Sequence, residues 1–163
     1  MELRGENMLY PAQLYREELK RKLVECWYNP KYDYYFMGEY NEFNVGDNAY
    51  WRTDLVHLDK NGEVDGYFSY QRNDAARSIS QFGLVSFVDN GTNLVTDCIH
   101  HINKLASEGL HRMEWWAVSD NPANKIYEWL ISRYGGQIAG HMHDCHYFGG
   151  KYHDAVMYEI LFD

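Results

Sequence analysis

The sequence predicts an α/β (α+β) domain, a mixed and mostly antiparallel sheet that contains one parallel strand-helix-strand crossover. Two glycine turns, Asn61-Gly62 and Gly149-Gly150, each separate stretches of strand character, the signature of antiparallel hairpins. Between them lie a strand-like stretch, a helix of 3.6-residue period and a second strand, and a helix of that length joins strands that run parallel. At 163 residues, with 45% hydrophobic and 24% charged side chains, the chain has length for one hydrophobic core, so residues 1–163 are read as a single domain.

From Pro11 to Trp27, apolar Leu14, Leu19, Leu23, Val24 and Trp27 alternate with a charged face, which predicts an amphipathic surface helix. Between Tyr28 and Tyr50 no period holds, and Asn29-Pro30, Gly38 and Gly46 predict irregular structure with one short helix. Trp51 to Leu58 reads as a strand. After the Asn61-Gly62 turn, Val64, Gly66, Phe68 and Tyr70 alternate with Asp65, Tyr67 and Ser69 as its antiparallel partner. Ile79 to Val88 reads as a third long strand, punctuated by Asp89-Asn90-Gly91-Thr92-Asn93. Leu94, Val95, Cys98, Ile99, Ile102, Leu105 and Ala106 then mark one face of a helix ending at Gly109, and Met113 to Val118 is the next strand. Asn121-Pro122 reads as a helix start, with Gly135-Gly136 as its stop. Gln137 to Phe148 and Tyr152 to Phe162 form the terminal hairpin.

The formal net charge of -9 argues against nucleic acid and anionic membrane as partners, because each phosphate contact needs a cation, and leaves amine-bearing ligands open. Cys26, Cys98 and Cys145 are odd in number and widely spaced, which fits no disulfide framework or zinc ribbon. Neither an apolar run of membrane-spanning length nor the apolar region of a signal peptide is present, so a cytoplasmic location is expected.

The turn from strand to helix at Asn90-Gly91-Thr92-Asn93 presents backbone N–H groups and the positive end of a helix dipole, a seat for phosphate, although a simple capped loop reads the same way. From about Val64 onward the chain resembles the GCN5-related N-acetyltransferases (GNAT superfamily), which move the acetyl group of acetyl-CoA to an amine. The residues that carry the resemblance are the crossover with Gly91, the segment from Asp120-Asn121-Pro122 to Ile126-Tyr127, and the ending Gly150-Lys151-Tyr152 to Tyr158-Glu159. The resemblance implies helices on both faces of the sheet and a wedge between the strands at Ile79–Val88 and Met113–Val118 that receives the pantetheine arm. It implies that Asn90, Gly91, Thr92 and Asn93 hold the pyrophosphate, that the amides of Val85, Ser86 and Phe87 face the acetyl group, and that Asn121 or Asn124 contacts the cofactor. The family's loop usually reads Gln/Arg-x-x-Gly-x-Gly/Ala; here Val88, Gly91 and Asn93 occupy those places, so only the central glycine is kept.

The implied reaction is acetyl transfer to a small-molecule or peptide amine by direct attack, with acetyl-CoA as co-substrate. Tyr127 is the candidate acid for the departing thiolate, a phenol being near the required acidity, and a core aromatic is the competing reading. Candidate bases are Glu114, Asp54 and Asp65, each of which also fits the solvated face of a strand. His141, His143 and Cys145 share one strand face, but without a second ligand pair they read as rim residues and no metal is expected. The aromatic stretch from Trp27 to Trp51, with Asp33, Glu39 and Glu42, fits either packing or recognition of a cationic amine. Two alternatives stay open: a non-catalytic protein of the same fold that binds acyl-CoA or a protein partner, and an aromatic-rich interaction protein forming an oligomer such as a homodimer.

Overall fold

A computed structural model describes residues 8–36 and 51–162 of the chain. The strands are β1 (Leu9–Pro11), β2 (Arg52–Leu58), β3 (Val64–Asn73), β4 (Ser78–Ser86), β5 (Arg112–Val118), β6 (Gln137–Phe148) and β7 (Lys151–Leu161). The helices are α1 (Arg16–Trp27), the single turn α2 (Asp33–Phe36), α3 (Thr92–Ser107) and α4 (Asn124–Tyr134). One seven-stranded sheet has the order β1-β2-β3-β4-β5-β7-β6, and every neighbouring pair is antiparallel except β4 and β5. The expected parallel crossover is therefore β4-α3-β5.

The turns follow from their residues. Gly62, Gly149 and Gly150 take φ of +82°, +58° and +79°, which a side chain would oppose, and they make the two hairpin turns. Gly135 caps α4 in the left-handed conformation at φ +68°.

Both faces of the sheet are covered. On one, Leu94, Cys98 and Ile102 of α3 and Tyr127 and Leu130 of α4 pack on Phe68, Phe82, Met113, Trp115 and Tyr158. On the other, Leu19, Leu23 and Cys26 of α1 pack on Val56, Leu58, Tyr67 and Val85. This double cover explains why β3 is almost wholly buried from Val64 to Tyr70 where an in-out alternation was expected: Tyr67 faces a core of its own. Close packing also fixes Gly66, where an added Cβ would stand 2.6 Å from Leu94 Cδ2.

Several boundaries differ from expectation, three of them with a local cause. The first helix is preceded by a 3-10 turn over Ala12–Tyr15, because Pro11 closes β1, a strand too short to have left a period in the sequence. The third strand ends at Ser86, where the Ser86 hydroxyl turns back to donate to the Val88 carbonyl at 2.8 Å. The last helix starts at Asn124, because Asn121 makes a turn first, its Oδ1 accepting from the Ala123 N–H at 2.9 Å.

Candidate active site

Strands β4 and β5 begin side by side and then part. Their register holds only at Ser78 with Arg112 and Ile79 with Met113, although both strands run on for several residues. The cause is local: Gln81 takes φ +49° and the register of β3 against β4 shifts between Ser69 and Gln71, a bulge that bends β4 away. Past the bulge, the edge of β4 that faces β5 has no strand to bond among the described residues.

Two cavities lie along this wedge. A cleft of about 560 Å³ opens between the end of β4, the Val88–Thr92 loop and the starts of α3 and α4, and includes Lys31, Ser86, Asp89, Gly91 and Trp129. A narrow pocket of about 60 Å³ lies between Gly83–Val85 and Trp116–Ala117, with Tyr34 in its lining. Tyr35, Leu84 and Tyr127 border both spaces and stand between them.

The mouth is the strand-to-helix turn. Gly91 precedes α3, and the Gly91 carbonyl accepts the first bond of the helix, from Val95 N–H at 3.0 Å. Asn90 Oδ1 accepts from the Thr92 N–H at 3.2 Å and from the Thr92 hydroxyl at 2.6 Å. The amides of Asn93 and Leu94 lie ahead of the first intrahelical bond and point out of the helix end, with the positive end of its dipole. Gly91 is in close approach: an added Cβ would stand 3.0 Å from Ser86 Oγ and 3.1 Å from Ser86 Cβ, so the Ser86 side chain would have to shift. Across the mouth Lys31 Nζ pairs with Asp89 at 2.7 Å, and that ammonium holds the Asp89 carboxyl below the usual range. This charge pair left no trace in the sequence, its partners being 58 positions apart.

Strand alternation sorts the predicted amides. Phe87 N–H donates to the Asp65 carbonyl at 2.9 Å, so Phe87 and, two residues earlier, Val85 turn their N–H groups toward β3. Phe87 and Val85 are thereby corrected as amide donors. By the same alternation the N–H groups of Ser86 and of Leu84, a residue that sequence reasoning missed, turn to the other edge of β4, toward the wedge. Asn124 donates its Nδ2 to the carbonyls of Val118 at 2.9 Å and Ser119 at 2.8 Å, tying the end of β5 to α4. Its Oδ1 is buried without a partner among the described residues. Asn121 borders the narrow pocket.

Tyr127 is 5% exposed and packs against Trp115, Tyr158 and Phe82. Its hydroxyl makes no hydrogen bond among the described residues, and the residue borders both cavities. Burial, with Tyr35 nearby, pushes its pKa well above the ordinary phenol value, so the group stays protonated at all working pH. The acidity match expected from a free phenol is thus corrected: Tyr127 can hold a proton toward a leaving group but does not release it readily.

The proposed bases lie elsewhere. Glu114 borders neither cavity; its carboxylate pairs with Arg112, which also binds Glu159 at 2.8 Å. Asp54 accepts from Arg52 Nε at 3.1 Å and from the Tyr67 hydroxyl. Asp65 faces His57 Nδ1, whose other ring nitrogen meets Asp97 at 3.2 Å, a buried cluster between β2, β3 and α3. Each carboxylate is thus held by neighbours that a linear sequence does not juxtapose. Among the described residues, the narrow pocket has neither a carboxylate nor an imidazole in its lining. Tyr34 and Tyr35 bring the aromatic stretch to the site, while Glu39 and Glu42 lie outside the described residues.

No protein-family model matches the chain, and no curated protein matches its sequence. Solved structures do match its fold. An N-acetyltransferase from Staphylococcus aureus superposes with a TM-score of 0.68 at 14% identity, over 96% of this chain and 98% of that one. The chain has the fold of the GCN5-related N-acetyltransferases. A spermidine N-acetyltransferase from Vibrio cholerae, solved with CoA and spermine, superposes with a TM-score of 0.67 at 17% identity, over 96% and 97% of the two chains. A ribosomal-protein alanine acetyltransferase from Vibrio fischeri gives 0.54 at 16% identity, over 70% and 63%. Among the described residues, no helix is long and apolar enough to cross a membrane.

Proposed function

We propose that the chain is an N-acetyltransferase that binds acetyl-CoA in the β4–β5 wedge and passes its acetyl group to an amine. The observation that carries the proposal is the adjacency of the two cavities, a wide one at a helix N-terminus and a small one of acyl size beside β4, which share Tyr35, Leu84 and Tyr127 as lining. Acetyl-CoA supplies an activated thioester, so no nucleophile is needed from the protein.

The residues present fit that co-substrate. The amides of Asn93 and Leu94, the bare backbone at Gly91 and the Lys31 ammonium suit a pyrophosphate, with Asn90 and Thr92 stiffening the turn. Asn121 and Asn124 shape the opposite wall through the β5–α4 turn. The N–H groups of Leu84 and Ser86 are the donors available to a carbonyl oxygen that gains negative charge when an amine attacks. As the carbon–sulfur bond breaks, Tyr127 donates a hydrogen bond to the departing sulfur. With its acidity lowered, it stabilises the thiolate and solvent completes the protonation. The proton lost by the amine passes to water, because no described base borders the pocket.

The acceptor is an amine on a small molecule or a peptide, consistent with a net charge of -9 and with a tyrosine-lined pocket. The lack of a described base equally favours a second reading, a non-catalytic acyl-CoA binder. Calorimetry with acetyl-CoA, followed by thiol release with a panel of diamines, polyamines and peptide amines, separates the readings. Binding with amine-dependent thiol release supports the enzyme; binding without release supports the binder; no binding refutes both.

A further inference from the structure

In the β6–β7 hairpin Asp154 stands beside His141 and His143, a third metal-ligating group that the sequence did not bring to them. His141 Nε2 and His143 Nδ1 stand 3.4 and 3.1 Å from the same oxygen, Asp154 Oδ2, and the three donor atoms all lie within 4.8 Å of one another. Donors held about 2.1 Å from a common ion are roughly 3.0 Å apart at a right angle and roughly 3.4 Å apart at the tetrahedral angle, so the two His–Asp separations are those of coordinating donors.

The arrangement is made by a bulge. Between the pairs Met142 with Ala155 and His146 with His153, three residues of β6 stand opposite Asp154 alone. Asp144 in this bulge takes φ +50°, a conformation unfavourable to a side chain, and its N–H donates to Asp154 Oδ1 at 2.9 Å. That bond turns the other carboxylate oxygen toward the two imidazoles, the orienting role that outer partners have in metal sites. Cys145, which shares their strand face in the sequence, lies instead against the carbonyls of Met142 and His153.

We propose that His141, His143 and Asp154 bind one divalent transition-metal ion of the zinc, cobalt or nickel kind, which pins the bulge of β6 to β7. Two imidazoles and one carboxylate select these ions over magnesium and calcium, which prefer all-oxygen sites. The ligands are partly open to solvent, so the remaining positions are filled by water.

The test uses tag-free protein stripped with chelator and titrated with zinc or cobalt against a chromophoric competitor. The expected result is one equivalent per chain at micromolar or tighter affinity, with a rise in melting temperature. His143→Ala, at a position 79% exposed and so compatible with folding, should weaken binding at least tenfold, as should Asp154→Asn. His100→Ala, at an exposed histidine on α3, should leave it unchanged. Absence of a saturable equivalent, or His143→Ala titrating like the wild type, overturns the proposal.

Discussion

Replacing Tyr127 with phenylalanine removes one oxygen and nothing else. The Tyr127 ring packs 5.6 Å from the rings of Trp115 and of Tyr158, contacts that phenylalanine keeps. The hydroxyl has no partner in the described residues, so its loss breaks no bond in the fold; removing an unpaired buried polar group is neutral or stabilising by up to about 1 kcal/mol. Alanine would instead open a cavity and cost about 3–5 kcal/mol, confusing stability with chemistry. If the hydroxyl stabilises the departing thiolate, Tyr127→Phe should lower turnover by about 10²–10⁴, or about 2.7–5.4 kcal/mol of barrier, with acetyl-CoA affinity unchanged. The assay is single-turnover thiol release at saturating acceptor, beside urea unfolding and calorimetry on the same protein. Full turnover by the variant where chemistry limits the rate would refute the reasoning and return Tyr127 to the core.

Gly91→Val should weaken acetyl-CoA binding at least tenfold, about 1.4 kcal/mol, because the new side chain displaces Ser86 from the mouth; calorimetry checks it, and equal affinity would contradict it. Asp89→Asn should tighten binding roughly threefold at low salt and Lys31→Ala should weaken it, with both effects fading at high salt, as titrations at two ionic strengths would reveal. Asp120 is held below its ordinary carboxyl value: partial burial opposes ionisation, but bonds from His153 and Lys151 outweigh it. A depressed folded-state pKa stabilises above the unfolded value and is lost as pH falls through the folded one. Asp120→Asn should therefore destabilise the chain at pH 7, with the difference from wild type shrinking below about pH 4 in denaturant titrations.

Much of the fold was legible because its signals are local. The Asn61-Gly62 and Gly149-Gly150 turns, the period of α3 and the Gly135 cap each depend on residues within a few positions, and each stands where expected. The wedge was legible only as topology, since the bulge that opens it comes from Gln81, a residue with no preference for positive φ. Site residues fared according to how far away their partners lie. Gly91, Ser86, Asn121 and Tyr127 do border the two cavities. Glu114 was misread because Arg112 beside it and Glu159 across the strand pair form a charge cluster seen only in the folded sheet. Asp154 escaped notice as a partner of His141 and His143 because a three-residue bulge, not a regular register, sets it between them.

The wedge as the acetyl-CoA site is tested most directly by amide hydrogen exchange with and without CoA. The account predicts slowed exchange at Asn93 and Leu94, where the pyrophosphate meets the helix end, and at Leu84 and Ser86 on the unpaired edge of β4, with β6 and β7 unchanged. Binding of CoA that leaves those four amides unprotected, or that protects the hairpin instead, would contradict it.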